Sequence, residues 1–90
     1  MMKGYVRCTV SPGLFDREFY VMLANGDALY VDQDDVRVSA PEGEGWQVEG
    51  QVAARVVEEV NGSALVQLPG EPVIGGSRSW VPKESVVVNP

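Results

Sequence analysis

The stretch YVDQDDVRV (30–38) is echoed fifty residues later by WVPKESVVV (80–88). Each runs aromatic, valine, four polar residues or proline, then valine, any residue, valine. In a chain of 90 residues this feature limits the fold more than any other. A unit of about 35 residues is too small to bury a core alone, so two related units of this size must share one. The likeness extends outward from the echo. GYVRCTV (4–10) aligns with GQVAARV (50–56), and FYVML (19–23) with ALVQL (64–68). Identical residues meet at Gly4/Gly50, Val6/Val52, Val10/Val56, Val21/Val66, Leu23/Leu68, Val31/Val81, Val36/Val86 and Val38/Val88. A valine-rich chain aligns with itself partly by composition. The conserved order of strand, hairpin and polar turn is what argues for duplication. The expectation is a single domain over 1–90, with pseudo-repeats at 4–38 and 50–88 and a connector at 39–49.

Helical periodicity is nearly absent. The apolar segments are short, rich in valine and aromatics, and punctuated by Gly, Pro, Asn and Asp, which is the pattern of strands. In the first half the expected strands are YVRCTV (5–10), REFYVMLA (17–24), ALYVD (28–32) and VRVSA (36–40). SPGLFD is read as a turn, Asn25-Gly26-Asp27 as a hairpin tip, because Asn and Gly tolerate positive φ, and Gln33-Asp34-Asp35 as one turn of 3₁₀ helix. In the second half WQVEGQVAARVVEEV (46–60) reads as a long strand open to a break at Gly50. Asn61-Gly62 is a second tip, SALVQLP (63–69) a strand, GEPVIGGS (70–77) a loop, and SWV (79–81) a strand. Pro82-Lys83-Glu84-Ser85 takes the place of the 3₁₀ turn, and VVV (86–88) closes the chain. The fold class is all-β, either a small barrel or a sandwich of two packed sheets.

Aromatic–Val–x–x–x–x–Val–x–Val resembles the closing segment of SH3-like barrels, where a strand, a 3₁₀ turn and a last short strand complete a strongly bent sheet. YVDQDDVRV and WVPKESVVV carry this likeness, and Val81-Pro82 looks like the entry to the 3₁₀ turn. The resemblance implies a small SH3-like barrel built from a duplicated strand–hairpin–3₁₀–strand unit. It implies no ligand. The acidic loop and paired tryptophans of proline-binding SH3 domains, the glycine-centred motif of ribosome-associated KOW domains and a Tudor-type aromatic cage are all unmatched.

Composition removes much chemistry. The chain has no histidine and one cysteine, Cys8. That excludes catalytic triads, cysteine–histidine dyads, histidine metal sites, cysteine zinc sites and an intrachain disulfide. A nucleophilic serine among Ser11, Ser39, Ser63, Ser77, Ser79 and Ser85 would need lysine as its base, and Lys3 and Lys83 stand in no such motif. Asp32, Asp34 and Asp35 alternate as hard-cation ligands can, but lack the glycine and the distal glutamate of a calcium loop. A solvated turn accounts for them. Glu42, Glu44, Glu49, Glu58 and Glu59 read as edge protection rather than paired acid and base. Gly75-Gly76 lacks the helix and lysine of a phosphate loop. No cofactor or metal is expected. The net charge is −6, from seven basic and thirteen acidic residues, which argues against nucleic acid. No apolar run approaches the ~20 residues of a membrane helix, and MMKGYVRCTV contains no signal-like apolar stretch. The expected location is the cytoplasm, with no membrane partner.

What remains is a binding surface. Strand alternation sets Phe19, Val21 and Leu23 against Tyr20 and Met22. With the first set in the core, Tyr20 and Met22 face outward. Trp46, Trp80 and the apolar pair Val73-Ile74 complete the candidate contact residues, because Trp, Tyr and Met are enriched at interfaces. The expected function is a non-catalytic protein or peptide interaction module that self-associates, with no enzymatic activity. An alternative is a binder of small cationic ligands through acids and aromatics. A third reading is an RNA-binding SH3-like domain, supported by fold analogy and opposed by charge.

Overall fold

The computed structural model describes residues 2–38 and 45–88. Its regular elements are nine strands and two single 3₁₀ turns. The first half holds β1 (Met2–Pro12), β2 (Glu18–Leu23), β3 (Ala28–Asp32), the turn η1 (Gln33–Asp35) and β4 (Val36–Val38). The second half holds β5 (Val48–Val60), β6 (Ser63–Gln67), β7 (Glu71–Ile74), β8 (Arg78–Pro82), η2 (Lys83–Ser85) and β9 (Val86–Val88). No described helix is long and apolar enough to cross a membrane.

Alternation builds the core. β1 turns Val6, Cys8 and Val10 inward, β5 turns Val52, Ala54 and Val56, and β2 turns Phe19, Val21 and Leu23. Leu29 and Val31 from β3, Ala64 and Val66 from β6, Leu68 just beyond it, and Val81 from β8 complete the cluster. Small branched side chains suit a tightly curled sheet. Each fully buried valine contributes about 1.5–3 kcal/mol.

The strands form one antiparallel sheet in the order β7-β3-β2-β1-β5-β6-β8, curled into a half-barrel. A sandwich of two packed sheets is therefore not formed. β1 and β5 are the long central pair, registered from Met2↔Val56 to Val10↔Val48. Each has two successive neighbours on its other edge. β1 takes β9 at Gly4–Val6 and then β2 from Cys8 to Pro12. β5 takes β4 at Gly50–Val52 and then β6 beyond it. The last strand of each half thus lies on the first strand of the other.

The paired registers correspond. Val36 faces Val52 and Val38 faces Gly50, while Val86 faces Val6 and Val88 faces Gly4. Val10↔Val21 answers Val56↔Val66, and Phe19↔Val31 answers Ala64↔Val81. The 3₁₀ turns are tied down alike. Gln33 N–H donates to the carbonyl of Arg17 (2.9 Å), and Lys83 N–H to that of Gly62 (2.8 Å). Arg17 and Gly62 both have left-handed backbone, with φ of 66° and 86°.

Three local expectations are corrected. GEPVIGGS is not only a loop: Glu71–Ile74 pairs with β3 as β7. Gly50 does not break β5, whose ladder is irregular only between Val56 and Glu58. The connector ends earlier than 49, since β5 begins at Val48. The remainder of the expected connector, 39–44, and the end of VRVSA lie outside the described residues.

A polar contact also joins distant segments of the curled sheet. The Asn25 side-chain amide donates to Ser79 Oγ (2.6 Å) and to the Trp80 carbonyl (2.8 Å), and Ser79 Oγ donates to Asp27 Oδ2 (2.6 Å). Ser79 is only 3% exposed, the one buried polar side chain among the described residues, and these bonds satisfy it. Gly75 makes the close approach possible, because a Cβ there would lie 2.5 Å from the Asp27 carboxyl carbon.

Candidate interaction surface

Cross-strand register decides which side chains share a face. On the outer side of β2, β3 and β7 three rows stand side by side. Glu18 faces Asp32; Tyr20 faces Tyr30, which faces Glu71; Met22 faces Ala28, which faces Ile74. The two tyrosine rings meet edge-on, 5.2 Å apart at 60°. Met22 is 41% exposed, and Val73 and Ile74 are each 50% exposed. The result is an apolar and aromatic centre with carboxylates along one side. Arg17 is the counter-charge here, 3.0 Å from Asp34 and 3.8 Å from Asp32. Both pairs are exposed, so they add little stability.

β7 is the end of the sheet order, and among the described residues no strand lies on its other side. All four of its residues are exposed. Pro72 removes one backbone donor, a common way of blunting an edge strand. At the opposite end the Trp80 carbonyl of β8 is occupied by Asn25.

Of the six expected contact residues, Tyr20, Met22 and Ile74 come together on this face, and Val73 lies on the same edge strand. Trp46 does not join them. It is partly buried against the core, edge-on to Phe19 with ring centroids 5.4 Å apart. Trp80 is exposed but sits opposite Leu65 on the β6–β8 pair. Two further features escaped sequence reasoning. Tyr30 belongs to the face, as alternation from the core residues Leu29 and Val31 would have shown. Leu14 and Phe15 are 71% and 74% exposed in the β1–β2 turn. The signal there was an apolar pair directly after Pro-Gly.

Groups with reactive potential are held differently. Among the described residues no cluster of three carboxylate or thiol groups could hold a metal ion. Burial pushes the Cys8 thiol up from 9.0 to about 12, opposed by a hydrogen bond with the Val52 backbone. The native thiol is therefore expected to be inert to a disulfide-exchange reagent at pH 8, and the chain in denaturant to react once. The linkage follows in sign. The unfolded thiol ionises from about pH 9 while the folded one stays protonated, so stability is full below pH 9 and falls between 9 and 12. A thermal melt taken across that range against Cys8→Ala, which lacks this slope, checks it.

No protein-family model matches this chain, and no curated protein or solved structure resembles it significantly.

Proposed function

We propose that this chain is a non-catalytic protein- or peptide-binding module of the cytoplasm, built from a duplicated SH3-like strand–hairpin–3₁₀–strand unit. The observation that carries the binding reading is the outer face of β2–β3–β7. Tyr20, Tyr30, Met22 and Ile74 stand in adjacent rows there, next to an edge strand whose residues are all exposed. An extended peptide laid along β7 would gain main-chain hydrogen bonds and rest side chains on the tyrosines. Glu18, Asp32 and Glu71 beside the aromatic centre favour a basic partner through steering and register.

The test is capture from lysate of the native host by tagged wild-type protein, with the Tyr20→Ala/Met22→Ala variant beside it. Both substitutions lie outside the core cluster, so the variant should keep a wild-type circular dichroism spectrum. The captured protein should be lost, since hot-spot truncations cost about 2 kcal/mol or more. Equal capture by the folded variant would remove this face from consideration.

A further inference from the structure

The sheet carries a second outer face of opposite charge. In one row across the strands, Arg7 of β1 faces Gln51 of β5, which faces Arg37 of β4. Two rows toward the start of β1, Lys3 faces Arg55. Between them, the Arg37 guanidinium lies 3.7 Å from the centre of the Tyr5 ring, which fixes both groups. Four of the seven basic residues thus stand on the β1–β5–β4 face. Among the described residues, Glu49, opposite Thr9, and Asp35, beside Lys3 and Arg55, are the carboxylates that accompany them. The three remaining basic residues belong to other segments. Those three are engaged: Arg17 with Asp32 and Asp34, Lys83 with Glu59, and Arg78 with Gln67. Lys3, Arg7 and Arg55 form no ion pair with any described residue.

A groove of about 840 Å³ opens beside the Arg7–Arg37 row, lined by both arginines together with Thr9, Met22, Val38 and Glu49. It offers the Arg7 guanidinium fork next to apolar surface. A complementary ligand presents carboxylates beside aromatic or aliphatic groups. The β2–β3–β7 face has that composition, with Glu18, Asp32 and Glu71 beside Tyr20, Tyr30 and Ile74. We infer that the basic β1–β5–β4 face of one molecule docks on the acidic, aromatic β2–β3–β7 face of a second copy. The inference rests on the reading of β2–β3–β7 as a contact face and names its partner. Basic face against basic face is disfavoured by like charge, and a long polyanion would run from this face onto the acidic remainder of the surface.

The experiment is sedimentation velocity on full-length protein and two charge-reversed variants. Wild type should associate, with a dissociation constant weakened roughly tenfold between 50 and 500 mM salt, because surface ion pairs are screened over that range. Arg7→Glu/Arg37→Glu and Glu18→Lys/Glu71→Lys should each be monomeric with wild-type circular dichroism. Mixed together, the two monomeric variants should associate, because each supplies the face the other lacks. A wild type that stays monomeric to millimolar concentration overturns the inference, as does a mixture that does not associate. Salt-reversible binding of a single-stranded oligonucleotide by monomeric wild type would also overturn it, making the basic face a nucleic-acid surface. The reading of β2–β3–β7 is separable. If wild type is monomeric yet captures a foreign protein that is lost by Tyr20→Ala/Ile74→Ala, neither residue of which lines the basic groove, that reading stands without the self-docking. If it is monomeric and captures nothing, both fall.

Discussion

Cut at the connector into 1–44 and 45–90, the two halves are expected to be unfolded apart and folded together. The reason is the distribution of the ladders. The central β1–β5 pairing runs over nine registered pairs, and both its strands belong to different halves. Each half also loses the strand that lies on its own long strand: β9 leaves Gly4–Val6, and β4 leaves Gly50–Val52. The first half keeps Val6 and Val10 but loses Val52 and Val56 from across the core; the second half suffers the reverse. A sheet face left open in this way cannot offset the ordering of some forty residues. Mixed at equal concentration, the fragments should recover the native circular dichroism spectrum. The penalty is set by the ratio of the linker's effective concentration to the fragment concentration, about 1.4 kcal/mol when the first is millimolar and the second about 100 μM. A domain of ordinary stability, 5–15 kcal/mol, survives it at hundreds of micromolar. One fragment pairing with a copy of itself would repeat the same exchange between identical units, and its folding would rise with concentration. A fragment that folds as a monomer at any dilution would show that the halves do not depend on one another.

What the sequence made legible follows from range. The strand YVRCTV, the Asn25-Gly26 and Asn61-Gly62 tips and both 3₁₀ turns are local patterns of strand and turn chemistry. The structure has them where they were read. Tyr20 and Met22 could be placed outward for the same reason, since Phe19, Val21 and Leu23 fix the other face. β7 was missed because Gly70, Pro72 and Gly75 punctuate it, and its pairing with β3 spans some forty residues. The edge-on contact of Trp46 with Phe19 was not visible, because nothing near Trp46 in sequence shows that the two meet. The Arg7–Gln51–Arg37 row was not visible either. Its members come from three strands, and only the register of β1 on β5 and of β4 on β5 lines them up. Net charge, which was read only as arguing against nucleic acid, does not show where charges sit, so the four cations on one face were hidden.

The other large effect should come from Gly50. Both Gly4 and Gly50 lie in extended strands, so neither is kept for a left-handed backbone. They are needed for space where the short strand of the other half crosses. A Cβ on Gly50 would lie 2.7 Å from the Arg37 carbonyl oxygen in β4 and 2.9 Å from a methyl of Val10 in the core. A Cβ on Gly4 would lie 2.6 Å from the Val87 carbonyl oxygen in β9. The obstacles are backbone atoms of a paired strand, which cannot rotate aside as a side chain can. Gly50→Ala must therefore push β4 away from β5, breaking Val36↔Val52 and Val38↔Gly50, or displace Val10, which has no exposed surface. Overpacking of this kind costs about 1–3 kcal/mol, and a domain of this size loses roughly 4–8 °C in melting temperature per kcal/mol. Gly4→Ala should cost less, because β9 is the last described strand and no core side chain lies as close. Gln51→Ala, on the outer face beside Gly50, should stay within about 0.5 kcal/mol of wild type. Urea and thermal melts of the three variants read the order directly. If Gly50→Ala melts with wild type, β4 does not cross β5 at Gly50, and the exchange of terminal strands between the halves is wrong at that point.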